Sequence, residues 1–222
     1  MHRRRRTVLL LSAAIAAAAP LLTACGNDAH PGAAAVVGGE RITVSQLENR
    51  VNAVRAAQRA ASTDETQYQQ VVAQSSALTR NTLNGMVLEK VLDQALDDAG
   101  VTVTRKDVQK YRSDLEKNAG GAEALEMAYL QRYNVAPEQL EESLRSDVEV
   151  QELSTALGAD LNTPEGGTVF WQALSDASKK LDVDLNPRYG SWGVDQSGRV
   201  GLVDAKTPWL REVTRTGTQE TA

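Results

Sequence analysis

Few side chains in this sequence are equipped for covalent chemistry, and their positions limit what remains. Cys25 is the only cysteine, and the two histidines, His2 and His30, both precede the first patterned segment. The patterned part therefore lacks the commonest general base and the commonest neutral metal ligand. It also has no thiol. Acids are abundant, Asp93, Asp97, Asp98, Glu141, Glu142, Asp147 and Glu149 among them. Paired carboxylates do acid–base work only when burial separates their pKa values. These fall at helical spacings with basic residues nearby, the pattern of a solvated helix face. Glu141 and Glu142 beside Arg145 suit pairing at i+3 and i+4, worth only ~0.2–0.5 kcal/mol each. No glycine-rich phosphate loop is present. The reading is no catalytic residue, no metal site, no cofactor, and hence no enzyme.

Binding is the chemistry left open. Tyr111 and Leu115, then Tyr129 and Tyr133, recur at i+4. They line a shallow groove for unfolded segments or fill a core, and side chains at this spacing are more often core. The string Asn186-Pro187-Arg188-Tyr189-Gly190 offers Arg188, Tyr189 and nearby Trp192 as partner contacts. The plainer reading is a turn, with Pro fixing φ, Gly permitting positive φ, and Tyr189 packed on Trp192.

The N-terminal end is informative. Arg3 to Arg6 precede an uncharged apolar run, Thr7 to Leu22, that is short for a spanning helix. A basic start, an apolar middle and a small-residue end read as a secretory signal. The run ends Leu22-Thr23-Ala24-Cys25, which resembles the lipobox of bacterial lipoproteins. The resemblance implies cleavage between Ala24 and Cys25, lipid on Cys25, and a place on the extracytoplasmic face of a membrane. Removal of residues 1–24 takes four arginines and no acid. It leaves 20 basic against 29 acidic residues, a net charge of −9. That is a poor surface for nucleic acid. Anchoring would come from the acyl chains, since anionic headgroups repel such a chain.

Residues 25–35 lack periodicity and read as a flexible tether. Ala35 to Ile42 looks like a hairpin turning at Gly38-Gly39. Thr43 with Gln46 forms a capping box for a helix bearing Val44, Leu47, Val51 and Val54 on one face. A break at 62–64, with Thr63 or Asp64 as cap, precedes a polar helix of about 65–80. Residues 81–99 are apolar on several sides, as a central bundle helix is, and Gly100 ends that helix. Thr104 and Asp107 open the next helix, which stops at Asn118 to Gly121. A helix of about 122–133 follows, then one from Pro137 to about Leu157. Residues 163–167 read as loop or helix entry, 168–181 as the last helix, and 183–185 as a strand. Turns at 186–190 and 195–198 flank short extended segments, and residues 205–222 read as a polar, disordered tail.

Several of these pieces, in this order, resemble the N-terminal chaperone domain of SurA and related foldases such as PrsA. They are Val36-Val37-Gly38-Gly39-Glu40-Arg41-Ile42-Thr43, Leu88 to Leu92, Ala99 to Thr104, and Tyr133-Asn134-Val135 through Leu140 to Arg145. The resemblance implies a mainly α fold for residues 36–204. In it, a small antiparallel sheet joins the N-terminal hairpin to a returning C-terminal strand, with Val183-Asp184-Leu185 pairing near Val36-Val37. The family's parvulin isomerase domain has no room here, because only about ten residues separate the two helical parts. What the resemblance leaves is the holding of unfolded or exported polypeptides. The competing expectation is an interaction lipoprotein that docks one envelope partner.

Overall fold

The structure, a computed structural model, describes residues 32–203. The expected signal segment, Cys25, and the tail from 205 onward lie outside the described residues. The chain runs β1 (Ala33–Val37), β2 (Glu40–Thr43), α1 (Val44–Ala61), α2 (Glu65–Gln74), α3 (Leu78–Ala99), α4 (Arg105–Ala119), α5 (Ala122–Tyr133), α6 (Leu140–Ala156), α7 (Pro164–Leu181), β3 (Asp184–Leu185), β4 (Ser191–Val194) and β5 (Val200–Val203). No described helix is long and apolar enough to cross a membrane.

The hairpin forms where Gly38 and Gly39 supply positive φ of 58° and 81°. β1 is central in a three-stranded antiparallel sheet, order β2-β1-β3, with Ala35 opposite Leu185 and Val36 opposite Asp184. The closing strand thus falls on the pairing that the resemblance implied. Asn186 fastens it further: its backbone N–H donates to Ala34 O at 2.9 Å and its side-chain amide to Ala33 O at 3.1 Å. The strand begins two residues before Ala35. Ala33, Ala34 and Ala35, read from sequence as tether, have no exposed surface. Methyl groups small enough to sit beneath the helices, not a polar pattern, mark that strand.

Local capping signals set most helix starts. Thr43 and Gln46 form a capping box on α1, and Thr104 and Asp107 one on α4. Asp64 caps α2. Three helix starts differ from expectation. α6 begins at Leu140 and not at Pro137, because Pro137–Gln139 form a separate 3-10 turn ahead of it. The break between α2 and α3 falls at residues 75–77, where Ser75 O accepts both from Leu78 N–H at 3.0 Å and from the Arg55 guanidinium of α1 at 2.9 Å. α7 begins one turn earlier than expected, at Pro164. Thr163 Oγ1 caps it by accepting from Gly166 N–H at 3.1 Å.

α3 is the central rod. Leu83, Met86, Val87, Val91, Leu92, Ala95 and Leu96 are buried along it. It packs against α1, α6 and α7. The main core also takes Leu47, Phe170, Leu174, Leu185 and Val200. Each such side chain gains ~1.5–3 kcal/mol from burial. A second cluster, Val108, Leu125, Tyr129, Leu140, Leu144 and Val148, joins α4, α5 and α6. β4 and β5 form a separate hairpin fastened to α3, where Leu202 N–H donates to Asn84 Oδ1 at 2.8 Å.

Candidate functional site

α6 and α7 both lean on α3, and a cleft of about 1,100 Å3 lies over α3 between them. Its apolar surface comes from Leu88 and Leu92 of α3, Val150 of α6, and Phe170, Trp171 and Leu174 of α7. Tyr133 and Leu161, among the most exposed large apolar side chains described, stand at its edge. The turn between β4 and β5 reaches its mouth, and the Arg199 guanidinium lies 5.8 Å from the Trp171 ring centre.

Two helical glycines line the cleft, Gly85 in the middle of α3 and Gly167 in the first turns of α7. A Cβ at either would meet nothing within 4 Å. A helix-interior glycine costs about 1 kcal/mol against alanine. Packing does not require it at either position, so both keep open space above the backbone.

The polar rim is built around Arg50 of α1. Its guanidinium lies 3.2 Å from Glu89 Oε1 and also bonds Glu142. Burial works against the Arg50 cation, but the two carboxylates outweigh it. Burial lifts Glu89, and the like charge of Glu142 adds to this while Arg50 opposes it. Glu142 was expected to pair with Arg145 on its own helix. It reaches α1 instead, and Arg145 turns to Glu149 at 2.7 Å.

The four residues proposed for peptide contact come together. Tyr111, Leu115, Tyr129 and Tyr133 line a smaller cavity of about 440 Å3. Tyr129 also belongs to the second core cluster, while Tyr133 is 56% exposed, with the two rings 5.2 Å apart. The smaller cavity shares Tyr133, Asp147 and Val150 with the cleft. Arg188 and Tyr189 take the turn geometry, where Asn186 Oδ1 accepts from Arg188 N–H at 3.2 Å, and Trp192 lies in β4 just beyond it. Tyr189 is buried in the main core beneath Arg188, and the Trp192 indole donates to Ser178 Oγ at 2.6 Å. None of the three lines the cleft or the smaller cavity.

The acids are not all a solvated face. Glu149 is 3% exposed. Asp147 is half-buried, and it accepts from the Tyr129 hydroxyl at 2.7 Å. Sequence reasoning missed both because α6 exposes one flank to water and presses the other on α3 and α4, and only packing says which. Among the described residues, no three acidic, histidine or cysteine side chains could hold a metal ion.

A family model described as a SurA-like N-terminal domain matches residues 1–154. The match ends inside α6, so α7, which walls the cleft, lies beyond it. No curated protein and no solved structure gives a match.

Proposed function

The chain belongs to the family of SurA-like N-terminal domains, a chaperone-like family, and from that footing we propose that it holds unfolded or newly exported polypeptides outside the cytoplasm while tethered to a membrane by lipid on Cys25. The observation that carries the reading is the cleft over α3. It has an apolar bed and an ion-paired polar rim, and two packing-free glycines keep it open. An extended segment could lay its backbone against Gly85 and Gly167 and its side chains against Trp171, Leu92 and Val150. Such contacts are weak and reversible, which suits many clients. The reading assigns no prolyl isomerase activity, since the few residues between the end of α6 at Ala156 and the start of α7 at Pro164 leave no room for the family's isomerase domain.

The purified full chain, at equimolar ratio, is expected to suppress aggregation of a chemically denatured model protein by more than half in light scattering. Gly85→Leu fills open space while improving helix propensity, so it should fold and lose most of the protection. Absence of protection by the wild type, or full protection by Gly85→Leu, would overturn the reading. Anchoring has its own measurement. Cys25→Ser in the source bacterium is expected to move the protein from membrane pellet to supernatant, and an unchanged pellet fraction would remove lipid attachment from the proposal.

A further inference from the structure

Asp147 occupies the corner where the cleft and the smaller cavity meet. The other inward-facing carboxylates of this region have a guanidinium: Glu89 has Arg50, and Glu149 has Arg145. Asp147 has only the Tyr129 hydroxyl, and among the described residues no lysine or arginine pairs with it. Arg132, the one basic side chain on the wall of the smaller cavity, is exposed and lies over the Tyr133 ring at 5.6 Å. Burial pushes the Asp147 carboxyl above its ordinary range, and the Tyr129 hydroxyl offsets this in part. Tyr129 itself is pushed up, by burial first and then by Asp147, so its hydroxyl stays protonated as a donor.

A part-desolvated anion without a counter-ion, at the edge of a cavity walled by Tyr111, Tyr129 and Tyr133, is incomplete in one particular way. A cation placed there gains charge attraction in a shielded setting and the negative faces of aromatic rings. An apolar or anionic group gains neither. We propose that this corner is a specificity pocket for a lysine or arginine side chain of a client segment, whose backbone lies in the cleft. The inference deepens the client-holding reading and rests on it. The smaller cavity admits one side chain turned off the cleft, and Val150 and Tyr133 provide the shared wall along which its aliphatic stem packs. The acidic excess of the whole chain favours the same clients at longer range.

The test uses the purified full chain and two fluorescent peptides of one apolar, aromatic-rich sequence, differing only by a central lysine or norleucine. By fluorescence anisotropy at low salt, the lysine peptide is expected to bind about tenfold tighter. Asp147→Asn should abolish that preference, so that the lysine and norleucine peptides bind it equally well. Tyr133→Ala, at an exposed position that folding tolerates, should reduce the preference several-fold, as should 0.5 M salt. Asp97→Asn removes an exposed carboxylate outside both cavities and should change nothing. Equal binding of the two peptides by the wild type would overturn the inference. So would a preference that survives Asp147→Asn, or one that Asp97→Asn removes equally. If the norleucine peptide also fails to bind, the client-holding reading falls with it; if it binds, only the cationic pocket falls.

Discussion

Gly166→Ala is expected to destabilise the protein by more than about 3 kcal/mol, while the same change at the adjacent Gly167 stabilises it by ~0.5–1 kcal/mol. Helix propensity favours alanine at both positions by about the same amount. Space decides the sign. A Cβ on Gly166 would lie 2.1 Å from the carbonyl oxygen of Asp160 and 2.5 Å from its backbone nitrogen. Those atoms are main chain, so no rotamer change relieves the overlap. The carbonyl is also committed, accepting from Thr163 N–H at 3.0 Å and from the Thr163 hydroxyl at 2.9 Å. Thr163 in turn caps α7. Clearing the methyl group therefore loosens the cap and the helix start together, and Phe170, Leu174 and Ala177 further along α7 belong to the main core. Gly167 has nothing within 4 Å of a new methyl group and keeps only the propensity gain. Thermal melts by circular dichroism would read the difference at about 2–4 °C per kcal/mol for a chain of this size. Shifts of the same sign for both variants would refute the account. The Gly167→Ala protein should also protect clients less well, since the methyl group enters the cleft.

Arg145→Ala is expected to cost about 2–3 kcal/mol at pH 7.5 and clearly less at pH 5. Removing one partner of a buried pair strands the other charge, at ~3–5 kcal/mol for full burial. The figure is discounted because the Arg145 side chain is 48% exposed, though that of Glu149 is only 4% exposed. Glu149 depends heavily on this neighbour. The Arg145 Nε stands 2.7 Å from Glu149 Oε1. Its N–H is misaligned, however, and that buried oxygen accepts no hydrogen bond. Burial raises the Glu149 carboxyl, Arg145 lowers it, and the like charge of Asp93 raises it. A carboxyl raised in the folded state contributes stability that is fully present below its ordinary value of 4.5 and is lost as pH climbs through the raised one. Glu89 and Asp147 act in the same direction. The carboxylates held down, such as Asp107 capping α4 and Asp176 beside Lys179, are exposed and matter only below their ordinary values. Wild type should therefore melt at a higher temperature at pH 5 than at pH 7.5. Glu149→Gln should flatten that slope, and Arg145→Ala should steepen it. A wild-type profile that is flat or rises toward pH 7.5 would contradict the argument.

Much of this fold is written locally. The Gly38-Gly39 turn, the Thr43–Gln46 and Thr104–Asp107 boxes and the left-handed Gly100 after α3 each involve groups within about four residues, so the sequence carries them openly. The all-round apolar pattern of residues 81–99 likewise announces the helix that neighbours must surround. The Tyr111, Leu115, Tyr129 and Tyr133 set was visible as a spacing. That these side chains share one cavity with Asp147 was not, because the cavity joins α4, α5 and α6 across more than thirty residues of chain.

Composition and short-range pattern determined that this protein is mainly helical, without thiol or histidine in its patterned part, with caps and turns near their observed places. The resemblance of ordered motifs determined which strand would close the sheet. Tertiary structure alone decided that Arg55 meets Ser75 at the break between α2 and α3, that Gly166 cannot hold a side chain, that Glu149 is buried while Glu141 is wet, and that α6 and α7 stand apart over α3. The physical reason is the same throughout. Hydrogen-bonded caps and turns close over a few neighbouring residues. Burial, close approach and empty space belong to surfaces brought together from distant parts of the chain, and none exists until those surfaces meet.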